Sequence, residues 1–230
     1  MAMYQVLERD EINFVNYVNK SINKNNLILF DVGSNRGLYV DLFLKFDHNV
    51  QIHMFEPIKS LYDGLYEKFK SNNIFINNIA ISNKIGESIF CELTSPVTDG
   101  CSSLIERPVF NERCWSYVKK MVKTNTIDNY CRTYNIEYID FLKIDVEGAE
   151  LSVLEGSINM LKGKKIKYIQ FEYGNTFSDA NIKLLDVYNL VINFGYKLFN
   201  YENNIFDEIT ENNIERYSKN EICNFIIILN

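Results

Sequence analysis

Short apolar runs of strand length alternate along this chain with stretches whose apolar residues recur every three or four positions. The runs are Leu27–Phe30, Val50–Phe55, Ile74–Ile81, Tyr138–Ile144 and Lys167–Phe171. Between them, Leu38, Val40, Leu42, Phe43 and Phe46 mark one amphipathic helix, and residues from about Ile58 to about Phe69 mark a second. A third is expected from about Ala149 to about Leu161. A fourth runs from about Ser178 to about Phe194 and stops at Gly195, a glycine in the C-cap position. Ahead of the first strand, Ile12, Phe14, Val15, Val18 and Ile22 share a helical face, so residues 1–25 are read as a helical cover for the sheet. Strands alternating with helices predict an α/β fold: a mostly parallel sheet with helices on both faces. The last two strands, Tyr196–Tyr201 and Cys223–Leu229, are joined by a segment with little helical period, which predicts an antiparallel final pair.

Two stretches depart from this rhythm. Ser88–Leu93 follows a turn at Lys84-Ile85-Gly86 and reads as a short extra strand. From about Thr94 to about Lys120 no period is sustained, and Pro96, Gly100, Pro108 and the single tryptophan, Trp115, fall there. Phe110, Trp115 and Tyr117 suit a fully solvated segment poorly, so residues 94–120 are read as a functional flap. Thr126 then caps a short helix. With no linker or internal repeat, residues 1–230 form a single domain.

The chemistry gathers where strands end. Leu27–Phe30 runs into Asp31-Val32-Gly33-Ser34-Asn35-Arg36-Gly37, an acid followed by a small-residue turn that opens a helix. Such a turn lets a ligand approach the main chain, with Gly33 free to take angles closed to other residues and Gly37 allowing the helix start to pack tightly. The next strand delivers Glu56 and Pro57 about 20 residues past the turn, where doubly wound sheets place the acid that holds a nucleotide ribose. Asn78, Asp145 and Glu172 end the following strands, and ligands in parallel sheets sit beyond those ends. The three-glycine turn of dehydrogenases is absent, because Asn35 stands where its second glycine would be.

Composition narrows the reading. The chain carries a formal charge of −6, which disfavours a large nucleic-acid footprint. No apolar stretch reaches the roughly 18 to 20 residues of a membrane helix, and the first ten residues lack the features of a secretory signal, so a cytoplasmic setting is expected. The five cysteines are widely spaced with only His48 and His53 as imidazole partners, so free thiols are expected and a zinc site is not.

Taken together, Asp31 to Gly37, Phe55-Glu56-Pro57, Asn77-Asn78-Ile79-Ala80-Ile81-Ser82 and Phe141-Leu142-Lys143-Ile144-Asp145-Val146-Glu147-Gly148-Ala149-Glu150 resemble the FkbM family of S-adenosylmethionine-dependent methyltransferases, in order and in spacing. The resemblance covers about Leu27 to about Tyr201 and is most specific from Lys143 to Glu150. It implies a Rossmann-like class I methyltransferase sheet of seven strands, the last antiparallel, and methyl transfer to a hydroxyl of a sugar or natural product. It also implies that Asp31, Gly33, Ser34, Asn35 and Gly37 hold the methionine end of S-adenosyl-L-methionine, Glu56 its ribose, and Asn78 or Ala80 its adenine edge. Ser34 departs mildly from the alanine usual there.

An alcohol becomes a useful nucleophile once a base begins to take its proton. His53 lies inside a strand and is read as structural, which leaves carboxylates. Asp145 is the first choice and Glu172 the second; for Asp145 the alternatives are binding the cofactor's ammonium or capping the helix near Ala149, and Glu147 could cap that helix too. Asp145, Glu147 and Glu172 could also hold a divalent ion that acidifies a sugar diol, which is not favoured, and no metal ligand is assigned. Arg36 either meets an anionic acceptor or is solvated, and Ser102 and Ser103 either reach substrate from the flap or shape it. The expected function is O-methylation of a sugar or glycoconjugate precursor, with residues 94–120 as the acceptor-binding flap. An RNA ribose 2′-O-methyltransferase and a non-catalytic cofactor-binding subunit are the alternatives; a nucleic-acid partner and a membrane partner are not expected.

Overall fold

The computed structural model describes residues 9–22, 26–45, 50–94, 99–218 and 223–229. Phe46, His48, Pro96 and residues 1–8 and 23–25 of the expected helical cover lie outside them. The chain begins with α1 (Arg9–Ser21), β1 (Leu27–Val32), α2 (Leu38–Phe43), β2 (Val50–Phe55), α3 (Lys59–Lys68) and β3 (Ile74–Asn77). Next come β4 (Ala80–Ile81), β5 (Gly86–Leu93), α4 (Pro108–Glu112), β6 (Tyr117–Asn125), α5 (Ile127–Tyr134) and β7 (Ile139–Ile144). The rest is α6 (Glu150–Glu155), α7 (Ile158–Lys162), β8 (Ile166–Tyr173), α8 (Asn175–Asp179), α9 (Leu184–Ile192), β9 (Tyr196–Glu202), β10 (Ile205–Ile209) and β11 (Cys223–Leu229).

The main sheet has the order β10-β9-β11-β8-β7-β1-β2-β3. Strands β3, β2, β1, β7 and β8 are mutually parallel, and β11 inserts antiparallel between β8 and β9. The expected seven-strand sheet with an antiparallel last strand is present, extended by one strand: β10 folds back on β9 as a hairpin at the edge. β10 escapes a sequence reading because its pattern, Ile205-Phe206-Asp207-Glu208-Ile209, is that of a half-exposed edge strand.

Alternate residues of each central strand enter two separate cores. Leu29, Ile52, Met54, Phe141 and Tyr168 pack with Phe14, Val15 and Val18 of α1 and with α2 and α3. Phe30, Val32, Phe55, Leu142, Ile144, Ile169 and Phe171 pack on the other face with α5, α6, α7 and α9. Burial on both faces explains why these strands read as continuous apolar runs. Among the described residues no helix is long and apolar enough to cross a membrane.

Several boundaries differ from the sequence expectation. The run Ile74–Ile81 is two strands, because β4 leaves the main sheet to pair with β6 in a second sheet of order β4-β6-β5. The helix expected from Ala149 breaks at Gly156, which lies so close to the Ser82 carbonyl that a Cβ there would meet it at 2.2 Å. The helix expected from Ser178 is α8 and α9, separated where Asn181 takes a left-handed φ of 56°. In the expected flap, Tyr117–Lys120 already belong to β6, and Phe110, Trp115 and Tyr117 pack with Cys91 and Leu93 in a small core of their own. Thr126 caps α5 by accepting from the Asn129 amide, and Gly195 has the positive φ of a helix end.

His53 is structural. Its Nδ1 meets the Tyr130 hydroxyl at 2.8 Å and its Nε2 meets Gln51 Nε2 at 2.8 Å, with the ring stacked on Phe75. Burial lowers its pKa to about 4. A folded state that refuses a proton the unfolded chain accepts keeps its full stability above pH 6.5 and loses about 3 kcal/mol of it as pH falls towards 4. Urea unfolding of His53→Gln at pH 7 and pH 4.5 should therefore show a smaller acid loss than the parent; equal losses would contradict the assignment. A second prediction concerns glycines. Gly33 has φ +81° and its Cβ would lie 1.8 Å from the Asp145 carbonyl oxygen, so Gly33→Ala should cost about 3 kcal/mol or more. Gly64 sits exposed inside α3 with nothing within 4 Å, so Gly64→Ala should raise stability by about 1 kcal/mol. Thermal unfolding of the two variants checks both signs.

Candidate active site

From β1 the chain moves to one flank through β2 and β3, and it returns to the other flank with β7. The crevice between β1 and β7 is thus the topological switch point, where the turns that follow these two strands must face each other. They do so at contact distance, since the Gly33 Cα leaves no room for a side chain beside Asp145. The glycine the sequence assigned to ligand approach is required first by the protein's own backbone. Gly37, at φ +73°, packs the start of α2 against the Phe69 ring.

The turn after β1 is fastened to β2. The Ser34 hydroxyl donates to the Asp31 carbonyl at 2.7 Å and accepts from the Phe55 amide at 3.2 Å. The Asn35 amide donates to Glu56 Oε2 at 2.9 Å, and the Ile58 amide donates to Glu56 Oε1 at 2.8 Å. Burial raises the Glu56 carboxyl to about 7, against the pull of these two amides. Asn78 works from outside: its Nδ2 donates to the Glu56 and Pro57 carbonyls, both at 2.9 Å, and so fixes the turn that carries Glu56.

A pocket opens between these turns. Gly33, Asn35, Glu56, Ala80, Asp145 and Glu147 contribute to its wall, with Pro57, Ile58, Leu61 and Ile81 on its apolar side. Phe90, Gly100, Ser102 and Leu104 cover it from the insertion between β4 and β7. Part of the stretch read as a flap therefore roofs the same pocket that the glycine turn forms. Ser102 and Ser103 fasten this roof: Ser102 Oγ accepts from the Leu93 amide, and Ser103 Oγ donates to the Val146 carbonyl at 3.3 Å. Arg36 is exposed, and its carbonyl accepts from Lys68.

At the ends of β7 and β8, Asp145, Glu147 and Glu172 bring one carboxylate oxygen each within 4.8 Å of one another. Two of the three have a cation. Lys143 Nζ lies 2.8 Å from Asp145 Oδ2, and Arg107 lies 2.7 Å from Glu147 and 2.9 Å from Asp179. Among the described residues no ion pair reaches Glu172. Burial, then the charges of Asp145, Glu147 and Glu150, push the Glu172 carboxyl well above the ordinary carboxylate range. The amides of the helix entrance are taken by Glu150, which accepts from Val146 and Gly148. The helix-capping alternatives for Asp145 and Glu147 are thereby replaced, because their side chains are committed to Lys143 and Arg107.

Beneath the trio lies a polar layer that the sequence reading passed over. Asp31, Lys143 and Gln170 sit side by side in register across β1, β7 and β8. Lys143 is buried under the Tyr39 ring at 4.6 Å; burial opposes its charge, and Asp145 and Asp31 outweigh that and raise its pKa. Both carboxylate oxygens of Asp31 and Oδ1 of Asn35 are buried and have no hydrogen-bond partner among the described residues. Burial raises the Asp31 carboxyl, with Lys143 opposing. Orphaned acceptors at a glycine turn, beside a carboxylate held at the end of β2, suit a ligand carrying an ammonium group and a ribose diol. Lys143, Arg107 and Glu150 are visible in sequence only as charges in or near apolar runs, a signal that a pairing partner exists but not which one.

Comparison with known proteins agrees with this geometry. A family model described as the methyltransferase FkbM domain matches residues 31–198. The methyltransferase sdnD of Sordaria araneosa is 29% identical over 165 residues, which cover 57% of this chain and 60% of that protein, so the match spans less than two thirds of its length. Among solved structures, a putative rRNA-methylase from Clostridium thermocellum superposes with a TM-score of 0.52 at 7% identity, covering 97% of both chains. The plantazolicin methyltransferase BpumL, solved with S-adenosyl-homocysteine, gives 0.50 at 9% identity, covering 96% of this chain and 82% of its own. The two structures speak for the fold. With the family model spanning most of the chain and the switch-point pocket built as that fold requires, the chain belongs to the FkbM family of S-adenosylmethionine-dependent methyltransferases.

Proposed function

We propose that this methyltransferase modifies a hydroxyl of a sugar or glycoconjugate precursor in the cytoplasm. The observation that carries the reading is the convergence of Asp145, Glu147 and Glu172 beside a pocket to whose wall no lysine or arginine contributes among the described residues. A hydroxyl needs a proton acceptor, and carboxylates supply one. A polyanion such as RNA would meet acids there and find no free counter-charge, which speaks against the ribose 2′-O-methyltransferase alternative. A non-catalytic subunit would have no use for a half-buried carboxylate that no ion pair reaches among the described residues.

S-adenosylmethionine supplies a methyl group activated on a sulfonium. In this reading Asp31, Gly33 and Asn35 hold its methionine end, Glu56 accepts from its ribose hydroxyls, and Ala80 borders its adenine. Ser34 and Gly37 shape the turn, and Asn78 positions Glu56. Asp145 and Glu172 face the acceptor, whose alignment with the methyl carbon supplies much of the catalysis. Gly100, Ser102 and Leu104 close the pocket against water.

Glu56→Gln, which loses the charge-assisted bond to the ribose and sets an NH2 donor against one of the two amides that Glu56 accepts from, should weaken S-adenosyl-homocysteine binding about tenfold or more in isothermal titration calorimetry. Unchanged affinity would place the ribose elsewhere. The acceptor class is tested with methyl-labelled cofactor against neutral sugars, glycosides and RNA. A mass increase of one methyl on a sugar hydroxyl is expected, and transfer confined to RNA would overturn the reading. Because Lys143 and Arg107 already balance two of the three carboxylates, EDTA should leave turnover unchanged; a loss restored by magnesium would make the trio a cation site.

A further inference from the structure

Three carboxylates meet at the tips of β7 and β8, yet they are not equivalent. Asp145 is held by Lys143, a side chain buried in the middle of an apolar strand. Replacing a buried ion pair by apolar groups is often neutral or stabilising, so stability alone does not account for a lysine there. Glu147 is held by Arg107, which the chain brings from the pocket roof and ties also to Asp179. Only Glu172 keeps both oxygens clear of cations among the described residues. Three like charges this close cannot all be carried cheaply; burial and Asp145 raise the Glu147 carboxyl to about 8 against the pull of Arg107, and Glu172, with no ion pair among the described residues, is the natural seat of a proton.

We propose that Glu172, rather than Asp145, is the base that takes the acceptor's proton, and that Lys143 and Arg107 are positioning residues that hold Asp145 and Glu147 out of that role. The inference rests on the reading of this site as a hydroxyl methyltransferase and names its proton acceptor. As the acceptor oxygen bonds to the methyl carbon, the carbon–sulfur bond breaks and its electron pair stays on sulfur. The hydroxyl proton passes to a Glu172 oxygen, leaving S-adenosyl-homocysteine, a methyl ether and a protonated Glu172, which then releases its proton to solvent. A carboxyl kept high by burial and its anionic neighbours is a stronger base once ionised than an ordinary glutamate. The groups facing it are Asp145, Glu147, Glu150 and Lys143, with Arg107 behind Glu147 and Cys101 on the roof side.

The test needs no acceptor. S-adenosylmethionine carries a permanent positive charge at sulfur and S-adenosyl-homocysteine does not, so the ratio of their affinities reads the charge around the transferring methyl. Calorimetry on the full chain from pH 6 to pH 9 should show this ratio rising about tenfold as Glu172 ionises. Glu172→Gln should remove most of the rise, leaving only the part that Glu147 adds. Asp145→Asn and Glu147→Gln should keep it, displaced to lower pH because each removes an anionic neighbour. Lys143→Met should displace it to higher pH, and Lys143→Arg should restore it, which a merely structural lysine would not do. A rise that survives Glu172→Gln undiminished, or a flat ratio in the parent, overturns the assignment of Glu172; a midpoint unmoved by Lys143→Met overturns that of Lys143. If neither ligand binds the parent protein, the reading of the pocket itself fails, which is a separate result.

Discussion

The site depends on one close approach, the Gly33 Cα against the Asp145 carbonyl where the turns after β1 and β7 face each other. The two turns come from opposite wings of the sheet, and their contact sets the distance between the glycine turn and the side that carries the acids. It also leaves the Asn35 amide aimed at Glu56, so the β2 tip is registered to the same point. Three strand tips are thereby fixed by main-chain geometry, and the side chains they carry inherit that precision.

What the tips carry is a charge problem solved unevenly. Burial opposes ionisation at Asp31, Glu56, Glu147, Glu150 and Glu172, and the fold answers with different devices. Glu56 and Glu150 receive backbone amides, Asp145 and Glu147 receive a lysine and an arginine, and among the described residues Asp31 and Glu172 have neither a backbone amide nor an ion pair. The two left over lie on either side of the switch point. One suits the cation of the cofactor's amino acid end, and the other suits a proton.

Much of this was legible in the sequence. The alternation of runs gave the sheet and its antiparallel final strand because strands buried on both faces have little freedom of composition. Asp31, Gly33, Asn35, Glu56, Ala80 and Asp145 could be placed at strand ends, and the structure brings all but Asp31 to the wall of the pocket or its turn, with Asp31 in the layer beneath. What stayed hidden depends on contacts between distant segments. Asn78 reads as a strand-end polar group, yet its amide is spent on the Glu56 and Pro57 carbonyls. The aromatics of residues 94–120 read as a flap's contact surface, yet Phe110 is at the centre of a small core. Lys143 sits inside an apolar strand, where the sequence gives it no partner, and its ammonium reaches Asp145 along the same face, two residues on.

The measurement that bears most directly on the central claim is a crystal structure of the complex with S-adenosyl-homocysteine. The account predicts the ribose on Glu56, the amino acid end over Asp31 and Asn35, and the sulfur turned towards Glu172 and Asp145. A ligand bound with its sulfur away from the tips of β7 and β8, or bound outside the crevice between β1 and β7, would contradict it.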